Sequence, residues 1–209
     1  MAVHFTNQEF RNRKEKVLKN MSEAKIDALL MFKQESMYWL TGYDTFGYVF
    51  FQCLVLDKSG NIILLTRAPD LRQAQNTSII KDIRIWIDKA GANPNDDLKR
   101  ILNELKLESK KIGIEYDAYG LTGRNAMLLN KSLNGFYKIE DKSELISKLR
   151  VIKSVKEISY VRKAAELADK ALEEVWKNSK AGISEGKSWL KCKKLYLKTA
   201  EIIQQTNLL

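Results

Sequence analysis

Short apolar runs alternate with amphipathic stretches along the first two thirds of the chain. Runs rich in β-branched and aromatic residues predict strands. They lie at 27–32, 48–57, 61–67, 83–88, 111–117 and 136–141. Helical spacing or capping residues predict helices at 7–24, 36–43, 70–77, 96–106 and 121–133. This order predicts an α/β fold class, with one mixed, mostly six-stranded sheet flanked by helices.

The pattern becomes purely helical near residue 142. One short helical stretch is followed by a long one, with apolar residues at helical spacing and Gly182 placed to end it. The long helix leads away from a complete α/β pattern, as a connector to another domain would. We therefore expect a domain over 1–142, linker helices over 143–186 and a separate tail over 187–209.

Composition limits the class of protein. The chain has 209 residues, 44% of them apolar, which is enough for a packed core. No run of about 18 apolar residues predicts a membrane-spanning helix, and the N-terminal stretch lacks the apolar segment of a secretory signal. Two cysteines cannot form a disulfide framework. These observations predict a cytoplasmic protein with no membrane partner.

A net charge of +10 raises the possibility of a nucleic-acid partner. In the segment 187–209, five lysines oppose one glutamate, which gives a net +4. The other 186 residues carry 31 basic and 25 acidic side chains, a net +6 spread over many helices. Because no basic stripe interleaves with aromatic residues, we expect a solvated basic surface and no nucleic-acid binding.

Motifs for common catalytic centres are absent from the sequence. It contains no GxGxxG after a strand, no P-loop, no CxxC and no HExxH. The single histidine, His4, lies near the chain start, and Cys53 lies within an apolar run typical of a buried thiol. The carboxylates at 115–117 end a strand, where we expect a capping role. No residue of this chain is therefore predicted to be catalytic or to bind a metal.

Three separated motifs resemble one enzyme superfamily. The string LRVIKSVKEISYVRKAAELADKALEEV at 149–175, followed by AGISE at 181–185, is similar to the junction before the catalytic domain of creatinase, prolidase and aminopeptidase P. MYWLTGY at 37–43 and IGIEYDAYGLT at 112–122 resemble elements of the N-terminal domain of these proteins. The resemblance extends over residues 9–186.

The resemblance implies the N-terminal half of a two-domain enzyme. In this superfamily a C-terminal "pita-bread" domain binds two divalent metals, usually Mn, Co or Zn, through two Asp, one His and two Glu. Those ligands lie beyond the Gly-Ile-Ser-Glu step that ends at Glu185, after which this sequence has 24 residues with one Glu, no Asp and no His. We therefore expect a non-catalytic N-terminal domain and linker without the metal-binding half.

The N-terminal domains of this superfamily mediate homodimerisation, and a loop of one subunit can edge its neighbour's active site. The resemblance thus implies a homodimer and makes Tyr43, Asp44 and Phe46, on the loop 42–50, candidate substrate contacts. Alternatively, the two aromatic residues cover the sheet edge and the aspartate makes a turn. Arg67 is a fourth candidate that could bind a substrate carboxylate, or simply form a surface salt bridge.

The substrate is not fixed by the sequence. Members of the superfamily cleave Xaa-Pro peptides, creatine or ectoine, and some are sulfoniopropionate lyases. We expect a hydrolase of the Xaa-Pro peptidase type, whose full-length form acts on a small peptide or an amidino or amide small molecule. The alternative is a non-enzymatic protein-interaction module with the same fold.

The tail at 187–209 has a second interpretation besides that of a native segment. Similarity to the superfamily is close up to Glu185 and stops after Lys187. With permitted codons, residues 188–209 can be back-translated so that another frame reads LAEMQKTIFKNSGDYPANEFI, which resembles the segment after the junction in these enzymes. We therefore expect an out-of-frame translation. The alternative is a genuine basic amphipathic tail, with Trp189, Leu190, Leu195 and Ile202 on its apolar side.

Overall fold

The computed structural model describes residues 4–205, in two compact units that meet between Val151 and Ile152. The first unit holds a single six-stranded sheet, which confirms the predicted mixed α/β architecture. Its strands are β1 (Ala28–Met31), β2 (Cys53–Asp57), β3 (Ile62–Arg67), β4 (Asp82–Trp86), β5 (Lys111–Ile114) and β6 (Lys138–Asp141). Their order across the sheet is β4-β3-β2-β1-β5-β6.

Strand β1 is central and joins the two halves of the sheet. It pairs antiparallel with β2 and parallel with β5, so that Leu30 lies opposite both Val55 and Ile114. The β2–β3 pair is antiparallel, while β3–β4 and β5–β6 are parallel. All four β1 residues are buried, because helices cover both faces of the sheet.

Six helices of the first unit cover the sheet. They are α1 (Asn7–Glu23), α2 (Gln34–Thr41), α3 (Leu71–Thr77), α4 (Pro94–Glu104), α5 (Gly123–Leu133) and α6 (Leu145–Val151). Helices α1, α2, α3 and α6 pack on the face that carries Leu29 and Met31, and α4 and α5 pack on the opposite face. Helix α6, which we grouped with the linker from the sequence, lies in the first unit.

Local signals account for most helix ends. The Thr6 hydroxyl accepts a hydrogen bond from the Glu9 amide at 3.2 Å, while the Glu9 carboxylate pairs with Arg13 instead of closing a capping box. Helix α2 ends at Gly42, whose φ of +82° suits glycine. Helix α4 begins two residues before the predicted start, because Asn93 caps it and Pro94 occupies its first turn.

One predicted strand begins in the wrong place. The run 48–57 predicts a strand throughout, but β2 starts only at Cys53. The preceding residues form a loop, since the Gln52 side-chain amide donates to the Gly47 carbonyl at 2.7 Å and the Phe50 amide donates to the same carbonyl at 2.9 Å. The aromatic composition of this run therefore reflects an exposed loop and not a longer strand.

Residues 152–205 of the second unit form two helices, α7 (Val155–Asn178) and α8 (Glu185–Gln205). Ser154 and Glu157 form a complete capping box at the start of α7, and Gly182 adopts a φ of +83° in the turn after it. The predicted long helix is confirmed, and none of its residues is buried. Within residues 4–205, no helix has the length and apolarity needed to cross a membrane.

Candidate functional site

A buried carboxylate joins the ends of β1, β5 and α2. Glu115 directly follows β5 and its side chain has no exposed surface. One carboxylate oxygen accepts the amides of Phe32 and Lys33 at 3.1 Å each, and the other accepts the Ser36 hydroxyl at 2.6 Å. Because Lys33, the N-cap residue of α2, makes no side-chain cap, Glu115 caps this helix from another strand. The capping role expected at this strand end is thus confirmed for Glu115.

The environment of Glu115 both raises and lowers the pKa of its carboxyl group. Burial raises the pKa of this carboxyl to about 7, although the Ser36 hydroxyl, the two backbone amides and the nearby Lys33 charge favour the ionised form. The neighbouring Cys53 thiol is also fully buried, and its pKa is raised by that burial and by the Glu115 charge. Cys53 is therefore a core thiol and not a nucleophile.

Residues 43–52, here called the edge loop, come after α2 and are supported from below by Tyr43. The Tyr43 side chain is fully buried, and its hydroxyl donates to Gln52 Oε1 at 2.6 Å. Gln34, in the first turn of α2, donates to the Tyr43 carbonyl at 3.1 Å. Tyr43 therefore anchors the edge loop in this structure, and a direct contact between Tyr43 and a substrate stays a prediction.

Arg67 and Asp70 clamp the edge loop from the side. Arg67 Nε donates to Asp70 Oδ2 at 3.1 Å, and the Thr45 hydroxyl donates to Asp70 Oδ1 at 3.2 Å. The Arg67 guanidinium also lies 3.5 Å from the centroid of the Phe50 ring, a cation–π arrangement. Arg67 thus forms the salt bridge considered as the alternative, and its binding of a substrate carboxylate stays a prediction.

Asp44 and Phe46 lie at the surface of the edge loop. Phe46 is 89% exposed, and Asp44 is also exposed. Their backbone amides donate to Thr77 Oγ1 at 3.2 Å and to Gln73 Oε1 at 3.4 Å, respectively, which ties the loop to α3. The structure therefore brings the four predicted residues to one edge of the sheet, with two in supporting positions and two accessible to a ligand.

Sequence reasoning missed the other exposed apolar side chains of this edge. Tyr48, Val49 and Phe50 are each about half exposed in the edge loop, and Tyr119, after β5, is 81% exposed. The sequence placed residues 48–50 both in the candidate loop 42–50 and in the predicted strand 48–57, and it placed Tyr119 in a strand-to-helix connection. Gly47, immediately before the aromatic run, is the signal that could have indicated a loop at this position.

No metal centre is formed by the described part of the chain. Within residues 4–205, no group of three or more His, Cys, Asp and Glu side chains is placed to hold a metal ion. One carboxylate at this edge, that of Asp117, is engaged in an ion pair with Lys33 at 2.9 Å. The arrangement can therefore position and contact a ligand, but these residues offer no ligand set for metal-assisted hydrolysis.

A known family model matches most of the first unit. The profile of the Creatinase/Prolidase N-terminal domain matches residues 13–152, two thirds of the chain. The protein belongs to this family. The resemblance seen in the sequence motifs is thereby confirmed.

Curated relatives are longer than this chain. An ectoine hydrolase of Halomonas elongata is 28% identical over 174 residues, which are 80% of this chain and 43% of the relative. An uncharacterized hydrolase/peptidase of Sinorhizobium fredii is 25% identical over 190 residues, which are 88% of this chain and 48% of the relative. The chain thus spans just under half the length of these relatives and corresponds to an N-terminal portion.

Solved structures show the same fold. A dipeptidase of Pyrococcus horikoshii is 26% identical with a TM-score of 0.69, over 90% of this chain and 50% of that protein. An Xaa-Pro dipeptidase of Bacillus anthracis has the same TM-score at 22% identity, over 91% of this chain and 49% of that protein. The mixed six-stranded sheet with the helices after it is therefore the N-terminal architecture of this family.

Glu115 makes the stability of the first unit depend on pH. Its pKa is about 7 in the folded protein against 4.5 in an unfolded chain, so the folded state binds more protons between these values. We predict that the unfolding free energy falls by about 3 kcal/mol as pH rises from about 4.5 to 7, and then levels off. Urea unfolding at several pH values, followed by tryptophan fluorescence, measures this decrease.

The Glu115→Gln variant should lose this part of the pH dependence, because glutamine does not titrate. Glu108→Gln, at an exposed glutamate before β5, is the matched control and should keep the wild-type profile. Equal pH profiles for the wild type and Glu115→Gln would contradict the assignment.

Gly47 is required by the close packing of the edge loop. A Cβ at this position would lie 2.4 Å from Asp70 Oδ1 and 2.5 Å from Gln52 Nε2. We predict that Gly47→Ala lowers the unfolding free energy by about 1–3 kcal/mol, because both side chains must leave their hydrogen-bonded positions. Gly123→Ala is the control, because a Cβ added at Gly123 would meet no neighbouring atom within 4 Å, and it should leave stability unchanged or slightly raised. An unchanged unfolding free energy in Gly47→Ala would show that the edge loop is loosely packed.

Proposed function

We propose that this chain is the substrate-edging and dimer-forming N-terminal part of a metal-dependent hydrolase of the Xaa-Pro peptidase type. The observation that supports this proposal most strongly is the conformation of the edge loop. Asp44 and Phe46 are exposed on it, while hydrogen bonds of the buried Tyr43 and Asp70 side chains fix its backbone. An exposed aromatic side chain on a hydrogen-bonded base is suited to contact a ligand without further ordering of the loop.

In this proposal, a separate catalytic domain, which the described residues do not form, binds the metal ions. Family resemblance implies two divalent ions, Mn, Co or Zn, which would activate a water for attack on the scissile amide. The contribution of this chain is to limit and orient the substrate. A small peptide is the substrate we favour, since the similar structures include a dipeptidase that is 26% identical to this chain. The ectoine hydrolase relative supports the alternative of an amidino or amide small molecule.

A homodimer is supported by the apolar surface of the edge loop. Phe46, Val49 and Phe50, here called the loop face, are between 46% and 89% exposed within one short loop. Clusters of exposed apolar residues on one surface mark protein contacts more often than chance. In a dimer the loop face of one copy would reach the substrate site of the other copy.

The alternative is a non-enzymatic protein-interaction module with the same fold. The same loop face supports it, because an apolar surface on a rigid base also suits a different protein partner. The two functions differ in what binds the loop face, which is a second copy of this chain in the first case and a different protein in the second. The oligomeric state of the purified chain therefore distinguishes them. We also propose a cytoplasmic location, which is supported by the two free cysteines.

We further propose that the segment from about residue 187 is an out-of-frame translation of the superfamily sequence. The support is the abrupt loss of similarity after Lys187, together with three large apolar side chains that α8 leaves more than half exposed, Trp189, Leu190 and Leu197. Resequencing the locus tests this: a catalytic domain encoded in another frame downstream supports it, and an intact frame with no such domain overturns it.

The catalytic part of the proposal predicts that this chain alone binds no catalytic metal and has no peptidase activity. We expect the purified chain to retain no stoichiometric Mn, Co or Zn and to show no turnover of a proline dipeptide, because its described residues supply no metal ligand set. Elemental analysis and a chelator-controlled peptidase assay measure both. About two metal ions per chain, or chelator-sensitive turnover, would contradict the assignment of catalysis to another domain.

The dimer part of the proposal predicts that the loop face controls self-association. Phe46→Ser should shift the chain from dimer towards monomer in sedimentation velocity, because it removes the most exposed side chain of the loop face. Trp176→Ser is the matched control, as Trp176 is 71% exposed on α7. Dissociation by Trp176→Ser alone would assign association to α7, and a monomeric wild type would favour the interaction-module alternative.

A further inference from the structure

A cavity lies at the point where the chain reverses its direction across the sheet. β1 and β5 are parallel neighbours, but the chain leaves β1 towards β2 and leaves β5 towards β6. In open α/β sheets, the crevice outside the carboxyl ends of two such strands is the usual place for a ligand. The cavity at this point has a volume of about 690 Å³, within the range typical of small-molecule sites.

Two exposed tyrosines form adjacent walls of this cavity. Tyr48 comes from the edge loop and Tyr119 from the segment after β5. Their ring centroids are 6.2 Å apart and their planes meet at 77°, so the two rings form an edge-to-face contact. Tyr119 is 81% exposed, so its side chain is accessible to a ligand.

The backbone fixes these tyrosines relative to each other. Gly120 fits against the edge loop so closely that a Cβ there would lie 2.5 Å from the Phe50 carbonyl oxygen and 3.0 Å from that of Tyr48. A residue with a side chain could not allow the two segments to approach so closely. The aromatic walls therefore rest on a packed backbone contact, which lowers the entropic cost of binding.

The accessible charges of the cavity are mainly acidic. Four charged residues line it, namely Lys33, Glu35, Asp117 and Arg150. The Lys33 side chain is only 16% exposed and donates to Asp117 at 2.9 Å, whereas Asp117 is 86% exposed. Glu35 is exposed in the first turn of α2, and Arg150 is partly buried. Carboxylates thus lie at the accessible rim, next to two electron-rich rings.

We propose that this cavity binds a small organic ammonium ion against the Tyr48–Tyr119 pair, with Glu35 and Asp117 balancing its charge. Aromatic walls beside carboxylates are the arrangement that recognises ammonium groups, because ring faces and carboxylates both attract a weakly hydrated cation. A mainly apolar ligand would not use the carboxylates, and a simple anion would be repelled by them. The proposal does not rest on the proposed dimer or on a metal-binding domain.

Choline is a direct probe of this site, because 3,3-dimethylbutan-1-ol has the same shape without the charge. Ligand-observed NMR and calorimetry on the full chain would compare the two compounds at low ionic strength. We expect choline to bind in a one-to-one ratio and the neutral alcohol to bind at least about five-fold more weakly. Equal binding of both compounds, or no detectable binding of choline at tens of millimolar, would overturn the proposal.

Variants place the binding in the cavity and separate it from a folding defect. Tyr119→Leu should weaken choline binding by about three- to thirty-fold, while Tyr119→Phe should keep it, since only the ring face is required. Glu35→Gln should weaken binding, and Glu108→Gln, an exposed glutamate at the opposite edge of the sheet, should not. Unchanged binding in Tyr119→Leu, or an equal loss in Glu108→Gln, would show that choline binds elsewhere.

Discussion

The Glu115 carboxylate is the interaction on which the candidate site depends. It accepts three hydrogen bonds at the junction of β1 and α2, from a position at the end of β5. Without Glu115, the backbone amides of Phe32 and Lys33 would have no hydrogen-bond partner at the buried start of α2, which would lower the stability of the fold. One side chain thereby fixes the seam between the two central parallel strands and the direction in which α2 leaves it.

A series of polar contacts links the edge loop to this junction and fixes its position. Helix α2 ends at Gly42 and passes into Tyr43, which is held by Gln34 and Gln52, while Asp70 holds Thr45 and Arg67. The buried side of the loop is thus polar and satisfied, and its exposed side is apolar. This inversion of the usual arrangement is expected where a surface contacts a ligand or another protein.

Hydrophobic periodicity was sufficient to predict the sheet and the long helix α7, because both depend on short-range repetition of apolar residues. The family motifs were also readable, since they lie at capped helix ends and strand ends. The start of β2 was predicted too early, because the aromatic run before it has strand-like composition. Gly47 was the only local signal of a loop, and the Gln52–Gly47 hydrogen bond that bends the run is visible only in the structure. Glu115 was expected to cap, but its partners are about 80 residues away in sequence and only the fold brings them together.

The most direct test is an NMR titration of the Glu115 side-chain carbon in the full chain. A buried carboxylate that caps α2 should titrate with a midpoint near 7, and the amides of Phe32 and Lys33 should shift with the same midpoint. A midpoint near 4.5, the ordinary value for glutamate, with no linked shift of these amides, would contradict the account of the junction.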